Sequence, residues 1–370
     1  MKIIVDQNIP GVEKTFGLHG EIMSLDGRKI KWQHLEHADA LIVRSITTVN
    51  SDLLENTRIR FVGSTTIGFD HLDTNWLKAR DIAWACAPGC NADSAAQYTL
   101  GMMLLACKRM QSSLSAACVG IIGYGNVGSR IEALLQAVGV KKILICDPPL
   151  ADAGKSGLVE MGELHKCDII TTHVPLTYSG LYPTHNLLDQ SRLASFKKNC
   201  LLINTSRGNV IQKEALIEWL SSRNGYAALD VWPDEPEIDS DLLQQILVAT
   251  PHVAGYSIDG KLQGTQMIYQ QFADHFGIRP RAANLLTDQA PTVLDIRSGT
   301  AIEDIILEAC PVERDDRNLR GLESIDSEMR SAYFDQLRRE YPLRRDFGGF
   351  QLKKLTETVH SHTLKKLGFN

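Results

Sequence analysis

A chain of 370 residues exceeds the size at which a single hydrophobic core keeps growing, so two or three domains are expected. Hydrophobic residues at 44% and charged residues at 22% describe an ordinary globular composition, and a formal net charge of −5 gives no whole-chain attraction to nucleic acid or anionic lipid. No apolar run approaches the roughly 20 residues needed to span a bilayer, which argues against a membrane partner.

The opening MKIIVDQNIP reads as a short strand and a turn rather than a secretory leader, so a cytoplasmic location is expected. Short apolar runs follow at KIIV (2–5), ALIV (40–43), IRFVG (59–63) and IAWAC (82–86). Each is brief, nearly continuous and followed by turn residues, as in a buried parallel sheet. The segment NADSAAQYTLGMMLLACKRM then reads as a long helix, with Asn91, Asp93 or Ser94 as candidate caps.

A second alternating series begins at Cys118: CVGIIGYG, KKILICD, CDIITTHVP, NCLLINTSRG, YAALDVW and ILVATPHV as strands, with NVGSRIEALLQAVG and KEALIEWLSSRNG among the helices. Strand and helix alternating at this spacing imply right-handed crossovers and a doubly wound sheet. From about residue 281 the pattern changes to charge-dense stretches without nucleotide character, read as a small α+β domain that serves oligomerisation or regulation. The fold class is therefore α/β, with two Rossmann-like doubly wound lobes and a small C-terminal α+β domain.

The eight cysteines, Cys86, Cys90, Cys107, Cys118, Cys146, Cys167, Cys200 and Cys310, are scattered, form no CxxC and mostly sit among apolar neighbours. Free buried thiols are expected, with neither a disulfide framework nor a metal site.

Gly123, Gly125 and Gly128 form a GxGxxG between an apolar strand and a helix, and the next strand ends in Asp147. A dinucleotide needs these parts: a tight turn, close backbone approach to the pyrophosphate, and close packing of helix on strand. The helix N-terminus offers unpaired N–H groups to phosphate. A carboxylate at Asp147 suits two free ribose hydroxyls and repels a 2′-phosphate, and Pro148-Pro149 follow where an arginine would otherwise help, so NAD is expected over NADP. A glycine turn without a ligand is the plainer alternative.

Three polar residues stand at strand ends, where such folds aim side chains at ligands: Arg207 after LLINTS, Glu235 in DVWPDEP, and His252 in TPHVAG. A guanidinium can hold a carboxylate in bidentate fashion, an imidazole can take a hydroxyl proton near neutrality, and a carboxylate can fix that imidazole's tautomer. Taken singly, each could be a surface arginine, a packed histidine or a turn acid. Their order downstream of the dinucleotide pattern favours chemistry.

The run from GYGNVG through INTSRGNVI, LDVWPDEP and TPHVAG resembles the D-isomer-specific 2-hydroxyacid dehydrogenases over roughly residues 1–280. VRSITTVN (43–50), GSTTIGFDHLD (63–73), APGCNADSAAQY, PHVAGYSIDGK, and a tail with ERDDRNLR, YPLRRDF and KLGFN narrow the resemblance to a tailed branch acting on a phosphorylated 2-hydroxy acid. The resemblance implies a formate/glycerate dehydrogenase-like fold with a discontinuous substrate domain (1–95 and 256–280), an NAD domain (96–255) and a dimerisation domain (281–370). A cleft that closes over the substrate is also implied.

It implies that Arg207 binds the substrate carboxylate, that His252 exchanges the proton with Glu235 as partner, and that Ser45, Thr66 and Tyr256 touch substrate. Gly123, Gly125, Asn126, Val127, Gly128, Asp147, Val174, Thr205, Ser206, Arg207, Asp230 and Gly255 would line the NAD site. Valine at 174 replaces a threonine common among relatives, leaving its backbone N–H as the contact. For the phosphate, Arg44 and the Arg344-Arg345 pair are candidates, the pair being otherwise a solvated charge on a surface helix. Rival readings are a phosphoglycerate- or glyoxylate-type dehydrogenase of the same family and a non-catalytic NAD-sensing regulator. A homodimer is expected, with no nucleic-acid partner.

Overall fold

The computed structural model describes residues 1–280, 285–286, 289–297, 299–353 and 360–370. The KLTETV stretch at 354–359, part of the tail read from sequence, lies outside the described residues. The chain divides into two compact units, one of Met1–Asn91 with Ser257–Pro291 and the other of Ala92–Tyr256 with Thr292–Asn370.

In the first unit, strands β1 (Lys2–Asp6), β2 (Glu21–Leu25), β3 (Ala40–Val43), β4 (Phe61–Ser64) and β5 (Ala83–Ala85) form one sheet in the order β2-β1-β3-β4-β5, with every pair parallel. All four residues of β3 and of β4 are buried, as expected of strands covered on both faces. The helix Ile258–His275 returns to this unit and packs Ile268, Tyr269 and Phe272 with Ile3, Val5 and Phe16. Edge strand β2 went unread in the sequence. Its EIMSL has no continuous apolar run, because an edge strand leaves part of its surface uncovered.

The second unit holds a parallel six-stranded sheet of β6 (Cys118–Ile122), β7 (Lys142–Cys146), β8 (Ile169–Thr172), β9 (Cys200–Asn204), β10 (Gly225–Leu229) and β11 (Val248–Ala249), ordered β11-β10-β9-β8-β6-β7. The strand order reverses between β6 and β8, the switch point at which such sheets bind ligands outside their carboxyl ends. The helix Ala92–Arg109 buries Tyr98, Met102, Met103 and Leu105 in the core of this unit.

The C-terminal segment joins the same unit. It adds a two-stranded parallel sheet, β12 (Thr292–Asp295) with β13 (Phe350–Lys353), and the helices Ile302–Ala309, Val312–Arg320 and Arg330–Arg339. In ERDDRNLR, Glu313 and Arg317 are exposed, but the two aspartates are not. Asp315 and Asp316 are buried; the hydroxyls of Tyr98 and Tyr341 donate to Asp315 Oδ2 at 2.8 and 2.7 Å. Asp316 accepts from Arg109 (2.8 Å), Arg320 (3.1 Å) and the Ala249 N–H (2.7 Å), tying tail, long helix and β11 together. Buried charge of this kind persists only when paired and hydrogen-bonded.

All eight cysteines are free, and Cys107, Cys146, Cys167, Cys200 and Cys310 are buried. Among the described residues no helix is long and apolar enough to cross a membrane.

Candidate active site

At the end of β6 the chain turns at Gly123, whose φ of +91° is a left-handed conformation that suits glycine. A Cβ at Gly128 would collide with the Gly123 carbonyl, so helix Asn126–Ala137 can pack this tightly on the turn only with glycine there. Gly125 is the N-cap, and a Cβ built on it meets nothing within 4 Å. The helix start, with Asn126 exposed and Val127 half-buried, therefore faces open space. Val174, just after β8, borders the turn beside Gly123.

Asp147 follows β7 and holds the same turn. Its Oδ2 accepts from the Tyr124 N–H at 2.7 Å and its Oδ1 from the Leu150 N–H at 3.0 Å, capping the Pro148–Asp152 helix. An open helix N-terminus next to a half-buried carboxylate fits a dinucleotide, with N–H groups for the pyrophosphate and an acceptor for ribose hydroxyls.

At the end of β9, Asn204 organises the Thr205–Arg207 turn. Its buried Oδ1 accepts from the Ser206 N–H (2.9 Å) and hydroxyl (2.8 Å), while its Nδ2 donates to the Arg207 carbonyl (2.9 Å). The Thr205 hydroxyl bonds that of Thr99 at 2.9 Å. Arg207 is exposed and donates from Nη1 to the Ser206 carbonyl at 2.7 Å. A side chain at Gly208 would strike the Trp232 carbonyl, which places the Arg207 turn against the turn after β10.

That next turn carries the acid–base pair. Asp230, expected to line the cofactor site, is fully buried; its Oδ1 accepts from the Thr250 hydroxyl (2.6 Å) and the Val253 N–H (2.9 Å), and its Oδ2 from the Ala254 N–H (2.9 Å). This carboxylate shapes the turn that presents His252. His252 sits at φ +57°, a conformation that costs a non-glycine residue about 1–2 kcal/mol, and is held there by its N–H donating to the Asp230 carbonyl at 2.7 Å. Its Nδ1 hydrogen-bonds Glu235 Oε1.

Glu235 Oε2 accepts from the Trp232 N–H at 3.0 Å. Burial pushes the Glu235 carboxyl up, but the His252 hydrogen bond and charge, the Trp232 N–H and the Arg338 guanidinium outweigh it, so its pKa lies below the usual carboxylate value. Both side chains are about one quarter exposed (28% and 24%), and the imidazole Nε2 makes no hydrogen bond among the described residues. An imidazole fixed through Nδ1 with Nε2 open is arranged to exchange a proton with a ligand.

Two residues of this region carried no signal in the sequence. Asn204 reads as a strand-end amide, and Arg338 as one charge among many. Arg338 donates to the Tyr256 hydroxyl at 3.2 Å. Gly255 and Tyr256 are half-buried on the loop after His252. Arg344 requires a correction: it is neither a solvated helix charge nor a cation available to a phosphate. It is buried at 5% exposure, donates from Nε to the Tyr256 carbonyl (3.1 Å) and from Nη2 to the carbonyls of Val253 (3.4 Å) and Ala254 (2.5 Å), and stacks over Tyr98. Its donors serve the backbone of the loop after His252.

In the first unit, Arg44 and Ser45 follow β3 and Thr66 follows β4, again at carboxyl ends of parallel strands. Arg44 Nε donates to the buried Asp6 carboxylate at 2.9 Å, which partly balances its charge. Ser45 is exposed. The Thr66 hydroxyl bonds Ser64 Oγ at 2.8 Å, and Ser64 bonds His71 Nε2 at 2.9 Å.

A glycine turn at the switch point, an open helix start and a carboxylate-held imidazole define a dinucleotide-dependent dehydrogenase. Residues 95–254 match the family model described as D-isomer specific 2-hydroxyacid dehydrogenase, NAD binding domain, and residues 293–368 match a domain of unknown function. The chain is 41% identical to the erythronate-4-phosphate dehydrogenase of Marinobacter nauticus, over all of this chain and 99% of that one. It is 40% identical to the protein of that name from Hahella chejuensis, with the same coverage. Among solved structures, NAD+-bound 3-phosphoglycerate dehydrogenase of Entamoeba histolytica superposes with a TM-score of 0.64 at 22% identity, over 75% of this chain and 95% of that one. D-lactate dehydrogenase of Aquifex aeolicus with NAD and lactic acid gives 0.59 at 22%, over 75% and 96%. These two likenesses concern the fold. The chain belongs to the erythronate-4-phosphate dehydrogenase family within the D-isomer-specific 2-hydroxyacid dehydrogenases and is NAD-dependent.

Proposed function

We propose that the chain oxidises 4-phospho-D-erythronate to (R)-3-hydroxy-2-oxo-4-phosphooxybutanoate, a step of pyridoxal 5′-phosphate biosynthesis. The observation that carries this reading is identity near 40% running the whole length, tail included, to relatives named for that activity. The Glu235–His252 pair supplies the acid–base chemistry the reaction needs.

In this reading Arg207 grips the substrate carboxylate, and His252 Nε2 takes the proton of the 2-hydroxyl while Glu235 stabilises the imidazolium through Nδ1. NAD, when bound, would supply the acceptor for the hydride that leaves carbon 2. Ser45, Thr66 and Tyr256 contact substrate, and Arg44 meets the phosphate. Gly123, Gly125, Asn126, Val127, Gly128, Asp147, Val174, Thr205, Ser206, Asp230 and Gly255, with the Arg207 backbone, hold the cofactor, Asp230 acting by shaping its loop. The enzyme works as a cytoplasmic homodimer built through residues 281–370, with residues 96–255 as its NAD domain and 1–95 with 256–280 as its substrate domain.

The test is NADH formation with synthetic 4-phospho-D-erythronate alongside 3-phospho-D-glycerate. Turnover preferring the four-carbon acid by an order of magnitude or more in kcat/KM is expected. Preference for phosphoglycerate, or NAD binding without turnover, would remove the assignment.

A further inference from the structure

The helix Arg330–Arg339 lies outside the dinucleotide pattern, yet it brings a guanidinium to the residues around His252. Arg338 donates from Nη2 to the Tyr256 hydroxyl at 3.2 Å, and its guanidinium carbon lies 5.9 Å from the Tyr256 ring centroid and 5.8 Å from that of Phe334. Phe334 is fully buried, so one of the rings bounding the cation is anchored in the core. Arg338 Nε is buried and has no hydrogen-bond partner among the described residues. The one carboxylate ion-paired with it among the described residues, Asp335 of its own helix, stands 3.9 Å away.

An arginine kept only for stability would spend its donors on the backbone, as Arg344 does on the carbonyls of the same loop. Among the described residues Arg338 leaves a buried donor unpaired, an unfavourable arrangement, and directs another to a side chain. Its charge also reaches Glu235, whose other charged neighbour is His252.

We propose that Arg338 is a positioning residue of the reaction: it fixes the Tyr256 hydroxyl on the loop that follows His252 and adds a positive charge to the surroundings of the Glu235 carboxylate that orients His252. The inference rests on the dehydrogenase reading above. When His252 takes the substrate proton, that proton could pass on to Glu235 and leave a neutral pair. A cation in the surroundings of Glu235 opposes the transfer and keeps the proton on the imidazole. A Tyr256 hydroxyl that accepts from Arg338 has its oxygen held in one place, which sets where a substrate group can meet it.

The test compares Arg338→Met and Arg338→Lys with the unaltered chain, measuring kcat, KM for 4-phospho-D-erythronate, the pH profile of kcat/KM, NAD affinity and the unfolding midpoint. Arg338→Met is expected to raise KM about tenfold, the size of one charge-assisted hydrogen bond, with NAD affinity unchanged. The acid limb of its profile should move to higher pH, because loss of the cation makes both Glu235 and the imidazole easier to protonate. Arg338→Lys should restore the limb but not KM, since ammonium supplies the charge without the planar fork.

A folded Arg338→Met with unchanged KM and limb overturns the proposal, as does Arg338→Lys matching Arg338→Met in both. If Arg338→Met does not fold, Tyr256→Phe takes its place: alone it should raise KM, and combined with Arg338→Lys it should add nothing. Additive effects then overturn the proposal. Should the unaltered chain turn over none of the acids, the parent reading fails and this inference falls with it. Turnover abolished by His252→Ala with Arg338→Met neutral sinks this inference alone.

Discussion

The Nδ1 atom of His252 hydrogen-bonds one oxygen of Glu235, whose other oxygen accepts from the Trp232 N–H at 3.0 Å. The carboxylate is thus held at both ends, and the imidazole it holds offers Nε2 outward. Glu235→Gln keeps the shape but removes the charge that stabilises an imidazolium. We expect kcat/KM for hydroxy-acid oxidation to fall roughly 100-fold, within the span of general-base effects, with NAD affinity within twofold. Stability should respond to pH as well. The folded-state pKa of Glu235 is depressed, so its contribution is present above the unfolded carboxyl value and is lost as pH falls through the folded one. Denaturant midpoints of the unaltered chain and Glu235→Gln, measured from neutrality down to a pH below the ordinary carboxylate range, should converge at the acid end. Parallel curves would count against the depressed carboxyl.

His252→Ala removes the base itself. The residue contributes to its loop through a backbone N–H donated to the Asp230 carbonyl at 2.7 Å, which alanine preserves. Alanine adopts the same left-handed backbone that His252 already occupies at φ +57°, so that strain is common to both chains and the unfolding midpoint should move little on its account. Turnover should drop 100- to 10,000-fold, roughly the range for loss of a proton-transfer group, while equilibrium binding of NAD is nearly unchanged. Steady-state kinetics paired with a fluorescence titration of NADH separates the two. Comparable loss of both would mean that the ring serves the cofactor site instead.

The sheets and the glycine turn were legible because both write periodic or invariant demands into local sequence. A strand buried on two faces must be apolar throughout, as in ALIV and CLLIN, and a helix pressed on a turn excludes a Cβ at Gly128. Arg207, Glu235 and His252 could be marked because each follows such a strand. What stayed hidden depends on contacts between distant segments. Asn204 looks like any strand-end amide until its three hydrogen bonds to Ser206 and Arg207 are seen. Arg344 read as a solvated charge, and nothing in the local sequence marked Asp315 or Asp316; all three are buried because their partners, Tyr98, Arg109 and the carbonyls of Val253, Ala254 and Tyr256, lie far away in the chain. Local pattern reports burial of apolar faces well and burial of paired charge poorly, since a paired and a solvated charge are the same letter.

Asp147 has two jobs. It caps the Pro148–Asp152 helix through Leu150 and holds the glycine turn through the Tyr124 N–H at 2.7 Å. Asp147→Ala should therefore cost roughly 1 kcal/mol of stability from the lost cap and weaken NAD at least tenfold. Asp147→Asn removes the negative charge and keeps one acceptor oxygen, so one of the two N–H groups retains its partner; it should lose less stability than Asp147→Ala and bind NADP better relative to NAD. The ratio of NAD to NADP dissociation constants in the two variants decides the point. A ratio unmoved in Asp147→Asn would show that the carboxylate serves the turn and not the choice of cofactor.

Asp316 gathers Arg109, Arg320 and the Ala249 N–H on one buried carboxylate, and so fastens the tail to the long helix and to β11. Asp316→Ala leaves two guanidiniums facing each other without an anion, in a site where the carboxylate was 5% exposed. Removing one partner of a buried ion pair typically costs about 3–5 kcal/mol. We expect a lower denaturant midpoint and faster proteolytic release of the segment beyond residue 291. The loss should act on Tyr256 as well, because Arg338 and Arg344 reach that loop from the same tail. Asp316→Asn, which keeps shape and one acceptor, should lose less. Equal losses in the two variants would mean that packing volume, not charge, holds the tail in place.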